Sequence, residues 1–476
     1  MYLKKLHIKY FRCFKSEEGF EVEFAPRVTV LFGKNGSGKS TLIHAIHKAL
    51  SFVFDKNIKD TNSFDLTSGF PELRVEQFTK TDGVRNHKTG LMYPDIDIKV
   101  NGSFQGLPLE WEIYALTSSY KLQYTKYKNA YSEVINKISE TNTLPFFAYY
   151  SDSFPHIPKS KSITQQQMEL RNLGYLDWNQ ESACSELWIS RLRDKWMLWD
   201  RADRNVKHVE NTLRNYDSLL RDGIISKKEY DEDVPLHKEK LRKALDEKGK
   251  YDKEISEIKS CLIKFSKGDT NYEVTDIFDS IYKEDGLRLE TKQGDNPPIH
   301  FLPAGYKRMY YIVLDIAYRS FVLNGTTDAK GVVIIDEIDL HLHPELEKVV
   351  LPRLTRTFPN VQFILSTHSP LVLTGLSTVN QNNKIYKMEV GQNEPTPMFD
   401  IYGLDLNNGM QLVMGVNPSD DELNRWISRC AYMLHKGFKE QADNLKNMIV
   451  EKKVLSVDEI DARIKIALEG IDNEKD

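Results

Sequence analysis

Two stretches of the chain carry the residue types of phosphate chemistry. The first is Gly33-Lys34-Asn35-Gly36-Ser37-Gly38-Lys39-Ser40, preceded by the apolar run Val28 to Phe32 and followed by Leu42, Ile43, Ile46 and Leu50 at helical spacing. This is G-x-x-x-x-G-K-[ST] between a strand and a helix, where glycine lets backbone N–H groups close around phosphate oxygens and the helix N-terminus adds a favourable dipole. In that setting Lys39 is expected to reach the β and γ phosphates of ATP, Ser40 to ligate Mg2+, and Thr41 to stand beside it at the helix start. The second stretch is "VVIIDEIDLHLHP", Val332 to Pro344. A β-branched strand ending in Asp336 supplies the acidic group that holds Mg2+ through water, and Glu337 is placed to act as general base on the attacking water. His341 and His343 would share one face of a strand, but no third ligand cluster lies near them, so a zinc site lacks its ligand set.

The elements that position these residues must come from a large protein. At 476 residues the chain has room for two or three structural units, and its formal charge of −4 is the remainder between 65 basic and 69 acidic side chains. That balance demands neither nucleic acid nor an anionic membrane. Cys13, Cys184, Cys261 and Cys430 lie far apart with no C-x-x-C pair, which excludes a zinc ribbon or a disulfide framework and suits a reducing compartment. No apolar run approaches the roughly 20 residues needed to span a bilayer, and the opening "MYLKKLHIKYF" is not a signal peptide. A cytoplasmic protein with no membrane partner is expected.

About 300 residues separate Lys39 from Asp336, far more than a compact P-loop core uses. Upstream of the acidic strand lies "FLPAGYKRMYYIVLDIAYRSFVL", and downstream lies "NVQFILSTHSPLVL". With these, the sequence resembles the ABC-type ATPases of the SMC class, which include break-repair ATPases and the OLD-like ATPases of phage defence. "LKKLHIKYFRCF" resembles the opening strand of that class, whose arginine, here Arg12, approaches the nucleotide. "LPAGYK" resembles the signature L-S-G-G-Q and implies nucleotide contacts from Leu302, Ala304, Gly305 and Tyr306. "STHSP" resembles the switch, which implies that His368 meets the γ phosphate. In the D-loop, His343 stands where the class usually has Asp.

The resemblance covers the first 50 residues and about 300 to 410, and it implies a composite site. Two protomers face head to tail, and each P-loop is completed by the signature of the other, so ATP is sandwiched in a dimer. Pro303 replaces the signature serine and removes a hydroxyl and an N–H donor, although proline suits a helix start. The Q-loop glutamine is not evident; Gln165 to Gln167 are the candidates.

Between Cys184 and Phe265 apolar residues recur at steps of three and four. Leu192, Trp196, Trp199, Ala202, Val206, Val209, Leu213, Tyr216 and Leu220 form one run; Leu241, Leu245, Lys248, Asp252, Ile255, Ile258, Leu262 and Phe265 form another with two polar interruptions. The turn-like "RDGIISKKEYDEDVP" separates them, so an antiparallel helical hairpin is expected, its first arm about 55 Å long. The last 60 residues show further helical periodicity from a start at Ser419 to Asp421, too little to house a TOPRIM-type nuclease centre. The acidic pair Asp95 and Asp97 reads more simply as a strand end than as a metal site.

The expected fold is α/β: an ABC-type P-loop ATPase head split into lobes, with an inserted hairpin and a helical C-terminal region. The expected division is 1–168 for the N-lobe, 169–266 for the hairpin, 267–408 for the C-lobe and 409–476 for the helical tail. The function that the resemblance implies is a slow regulatory ATPase subunit of an anti-phage complex. Its organisation resembles that of the Septu ATPase, which works with a separate HNH-type nuclease, with DNA reached through the complex. A DNA-repair ATPase of the SMC class, acting directly on DNA, is the alternative.

Overall fold

The computed structural model describes residues 1–56, 58, 65–84, 94–151, 163–178, 185–279, 286–328, 330–379, 381–398, 402, 421–453, 460–465 and 468. Contacts divide the chain into two units, Met1–Gly403 and Leu404–Asp476. The first contains strands β1 (Tyr2–Lys9), β2 (Phe20–Glu23), β3 (Val28–Phe32), β4 (Ile96–Phe104), β5 (Leu107–Ala115) and β6 (Phe146–Tyr150). After the hairpin come β7 (Val274–Asp279), β8 (Leu287–Thr291), β9 (Gly331–Ile335), β10 (Val361–Thr367), β11 (Asn383–Lys387) and β12 (Thr396–Pro397). Its helices are α1 (Lys39–Leu50), α2 (Lys128–Thr141), α3 (Gln165–Met168), α4 (Ser185–Arg221), α5 (Lys227–Ser266), α6 (Ala304–Asn324), α7 (Pro344–Thr357) and α8 (Pro370–Thr374).

The central sheet runs β12-β11-β3-β10-β9-β6. Strands β11, β3, β10, β9 and β6 are parallel, and every residue of β3, β10, β9 and β6 is buried. Burial on both faces explains why these strands read as unbroken apolar runs rather than alternating ones. Thr367 pairs with Phe32, and Leu365 with Ile335, which in turn pairs with Tyr150. The carboxyl ends of β3, β10 and β9 are therefore level, and whatever follows them shares one edge, where open α/β sheets place ligands. A second, antiparallel sheet of order β2-β1-β4-β5 carries Arg12 on the loop between β1 and β2. This is the α/β ATPase head expected from the sequence, with helices α4 and α5 inserted as an antiparallel hairpin.

In that hairpin the two polar interruptions of the second run are satisfied across the seam. Lys248 Nζ lies 2.7 Å from Asp203 Oδ1, and Trp199 Nε1 donates to Asp252 Oδ1 at 3.2 Å. The connection is shorter than its composition suggests. A capping box of Ser226 and Glu229 starts α5 at Lys227, so only Asp222 to Ser226 turn, and Pro235 sits inside the helix. Reciprocal capping satisfies two orphan N–H groups at the helix start, so α5 begins well before the proline. At the base, buried Arg191 forks onto buried Glu254 at 2.7 and 3.0 Å.

Met309, Ile312, Val313, Ile316 and Ala317 recur at the three-and-four spacing of a single helix face, yet α6 is buried all round, not on one stripe. Its Asp315, fully buried, accepts hydrogen bonds from Tyr150 Oη at 2.7 Å, Trp188 Nε1 at 2.5 Å and Arg319 Nε at 2.5 Å. A charge so enclosed is tolerated because both carboxylate oxygens accept hydrogen bonds, one of them from an arginine.

The second unit contains helices Asp421–His435 and Lys439–Lys453, packed through Ile427, Cys430, Ala431, Ile449, Ile460 and Ile464. Ser419 and Asp420 of the expected helix start, the expected boundary at 408, and Cys184 lie outside the described residues. Among the described residues no helix is long and apolar enough to cross a membrane.

Helix α1 presses His47 between the rings of Tyr149 and Trp178, at 4.7 and 4.3 Å. Burial first, then nearby His44 and Lys48, push its pKa down from 6.5 to about 3. The unfolded chain thus binds a proton that the folded chain refuses. The corresponding stability is fully present above pH 6.5 and is lost as pH falls towards 3. His47→Phe is expected to flatten the pH dependence of the unfolding free energy in that window by up to roughly 1.4 kcal/mol per pH unit. Denaturant titrations at pH 7, 6 and 5 check this, and parallel pH slopes for the two proteins would contradict it.

Candidate nucleotide site

Strand β3 delivers the loop Gly33–Gly38 to the sheet edge. Gly36 and Gly38 have φ of 80° and 100°, the left-handed region that a side chain disfavours, so these two positions require glycine. Gly38 N-caps α1 without any side-chain cap, leaving the first N–H groups of the helix available to an anion. Lys34, Asn35 and Gly36 are exposed, as is Ser40, and Thr41 is half-buried. The Ser37 hydroxyl is buried and has no hydrogen-bond partner. Lys39, 4 % exposed, curls back to donate from Nζ to the carbonyls of Gly33 at 2.8 Å and Lys34 at 3.1 Å. Desolvation lowers its pKa, opposed by the carboxylates of Asp336, Glu337 and Asp339, which places the acidic cluster within electrostatic reach of the lysine.

Strand β9 delivers those carboxylates. Asp336, 4 % exposed, accepts a hydrogen bond from Ser366 Oγ, and the same oxygen accepts the Glu337 N–H at 2.8 Å. Glu337 itself has φ of 49°. At the end of β10, His368 Nε2 stands 3.9 Å from Glu337 Oε1, beyond direct hydrogen-bonding reach but facing the same space. Asp339 accepts from Thr367 Oγ1 at 2.5 Å and from the His368 N–H at 3.2 Å, which fixes the backbone that presents the imidazole. The structure therefore brings together Lys39, Asp336, Glu337 and His368.

Arg12 lines a cavity of about 660 Å³ with Cys13, Phe14, Gly36, Ser37 and the segment 389–393. Its Nε donates to Asp82 at 2.9 Å. The volume suits a nucleoside, and it opens directly from the phosphate loop. The signature residues lie elsewhere on the edge. Leu302 is buried, Ala304 is exposed, and Pro303 begins α6 without a side-chain cap. Gly305 abuts the His341 carbonyl so closely that a Cβ there would overlap it. The Tyr306 hydroxyl is engaged by Asp269 at 3.1 Å.

Ser366, Asp339 and the 389–393 wall escaped the sequence reading. The first two sit inside quoted motifs, but their role depends on β9 and β10 being neighbours, which spacing does not reveal. The wall, Glu389-Val390-Gly391-Gln392-Asn393, is a largely exposed stretch with no signal of its own. Gln167 caps α3 through Thr164 and donates to the Gly69 carbonyl at 2.7 Å, so both ends of its amide are engaged there. His343 caps α7, its Nδ1 accepting the Glu345 N–H at 3.4 Å. Asp95 binds Tyr114 Oη at 2.7 Å and the Thr117 N–H at 2.8 Å, the structural use of a strand end.

A parallel sheet with a phosphate loop after one strand and paired carboxylates after the next but one defines a P-loop ATPase. The chain belongs to the AAA ATPase domain family, whose match spans residues 1–373. It is 29% identical over 372 residues to the retron Vc95 probable ATPase of Vibrio cholerae serotype O1 biovar El Tor, covering 74% of this chain and 67% of that one. It is 24% identical over 424 residues to the retron Ec83 probable ATPase of Escherichia coli, covering 81% and 71%. A shorter likeness, 42% over 81 residues, links it to the Septu protein PtuA of Bacillus mycoides, covering 16% and 11%. Among solved structures, the Smc head domain from Pyrococcus furiosus overlaps 87% of this chain and 99% of its own, at 16% identity and a TM-score of 0.40.

Cys13 is exposed, lines the cavity and touches Gly38, whereas Cys261 and Cys430 are buried. ATP with Mg2+ at ten times its Kd is expected to slow maleimide labelling of Cys13 about tenfold, the factor set by simple occupancy. Peptide mapping by mass spectrometry reads the rate at Cys13 alone. An unchanged rate at saturating ATP would show that the nucleoside goes elsewhere.

Proposed function

We propose that this chain binds ATP with Mg2+ and hydrolyses it slowly as the regulatory subunit of an anti-phage defence complex, switching a separate HNH-type nuclease. The observation that carries the ATPase part is the convergence of Lys39, Asp336, Glu337 and His368 at one sheet edge. Lys39 and the open N–H groups of α1 grip the phosphates. Ser40 and Asp336 would hold Mg2+, which would supply charge neutralisation at the phosphates when bound. Glu337 takes a proton from the attacking water, and His368 donates to the γ phosphate. The defence part rests on the relatives, retron ATPases over most of the chain and PtuA over a short stretch.

The site is completed by a second copy. Helix α6 begins without a side-chain cap, and Phe301, just before it, is 73 % exposed. An uncapped helix N-terminus flanked by an exposed ring suits the phosphates bound to another protomer. ATP then holds two subunits together, and the dimer is a signalling state. Pro303 offers neither hydroxyl nor N–H at this contact, and loss of one such donor costs about 100-fold in rate.

Lys39→Ala is expected to abolish ATP binding, while Glu337→Gln binds ATP and retains it as a dimer. Native mass measurements with and without ATP, made with the product of the adjacent gene present, read both. If the two variants retain nucleotide alike, the role of Glu337 is wrong. A protein that binds DNA tightly alone and retains no nuclease defeats the defence reading. Restoring the missing hydroxyl by Pro303→Ser should raise kcat by about tenfold or more, up to the range lost with one oxyanion donor. Turnover equal to wild type would remove this account of slow hydrolysis.

A further inference from the structure

Arg308 lies one helical turn after Gly305 on α6 and is fully buried. Its Nη1 donates to the carbonyls of Glu337 at 2.8 Å, Ile338 at 3.1 Å and Leu340 at 3.3 Å, and its Nη2 donates to that of Asp336 at 3.2 Å. A guanidinium is always charged and offers five N–H donors in a planar fork, so it can gather several carbonyls that no strand or helix would aim at one point. The segment it gathers is the one that carries the proposed general base. At its two ends Glu337 and His341 adopt φ of 49° and 65°, a left-handed backbone that costs energy for any residue but glycine. The surroundings must over-determine such a turn. Arg308 does so from within, and Gly305, packed on the His341 carbonyl, does so at the far end.

We propose that Arg308 is a positioning residue for ATP hydrolysis, which ties the placement of Glu337 to the placement of helix α6. This rests on the reading of Glu337 as general base. Because Arg308 and Gly305 share one helix turn, an anion engaged at the N-terminus of α6 bears on the Glu337 turn of the same chain. Partner nucleotide and general base are thereby linked through a single buried side chain. The link uses no contact between Arg308 and ATP.

The full-length chain carrying Arg308→Met, Arg308→Lys or Glu337→Gln tests this by steady-state hydrolysis, ATP affinity and thermal midpoint. In Arg308→Met, kcat is expected to fall about 30-fold or more while the ATP Kd stays within about threefold, because the defect concerns the transition state and not uniform binding. Arg308→Lys is expected to recover part of the loss, since an ammonium reaches fewer of the carbonyls. Adding Arg308→Met to Glu337→Gln should lower the residual rate by less than about threefold, as expected for residues acting as a unit. The inference fails if Arg308→Met keeps kcat within about threefold of wild type. It fails equally if kcat, affinity and thermal midpoint fall together, the pattern of a merely structural residue. Should Arg308→Met not fold, the same split in Arg308→Lys decides. A wild-type chain without turnover defeats the ATPase reading itself, and turnover with Arg308 variants indifferent defeats this proposal alone.

Discussion

One hydroxyl joins the two strand ends on which the site depends. Ser366 Oγ donates to the Asp336 carboxylate and accepts the Glu337 N–H, so the residues that follow β9 and the last residues of β10 are stitched together at the candidate site. Asp336 is nearly inaccessible to water, and a buried carboxylate stripped of a donor is strongly penalised. The parallel pairing of β9 with β10 and of β10 with β3 sets the levels, and the serine makes the level rigid. Asp339 repeats the device one step on by holding Thr367 and His368.

Electrostatics on this edge is a balance between one buried cation and several carboxylates. Lys39 is desolvated, and the acidic cluster restores part of what desolvation removes. The lysine rests meanwhile on carbonyls of its own loop, which are weaker acceptors than phosphate oxygens. A site so arranged favours a polyanion that brings its own divalent cation, since the cation offsets the repulsion from Asp336 and Glu337.

Local chemistry was legible in the sequence and tertiary adjacency was not. The glycine loop and the acidic strand are contiguous segments whose residue types point to phosphate chemistry, and the α/β head was expected from the resemblance that they carry together with the signature and switch motifs. The hairpin arms were visible because apolar spacing over 37 residues in α4 and 40 in α5 leaves little freedom. The extent of the turn was misjudged because the capping box of Ser226 and Glu229 starts α5 well before Pro235, which lies inside the helix and does not end it. Helix α6 looked amphipathic and is buried all round, since its polar members Arg308, Asp315 and Arg319 are satisfied inside. Such burial is invisible until the partners are in place, because the same residues on a surface would read identically.

Those buried charges suggest why α6 carries more than packing. Asp315 is shared by Tyr150 of the central sheet, Trp188 at the base of the hairpin and Arg319 of its own helix, and Arg319 continues to the carbonyls of Gly174 and Leu176 at 3.0 and 2.9 Å. An apolar core of the same volume would hold the helix as well or better, so the network adds little net stability. It does add registry: hydrogen bonds to a buried carboxylate are satisfied in one alignment of hairpin base, helix and sheet, and a slip by a fraction of a turn leaves a charge unpaired. Gly305 and Arg308 lie on the same rigid rod, two turns or more from Asp315. Asp315 thus fixes the register of α6 at its middle, and Arg308 joins the same helix to the Glu337 turn near its N-terminus.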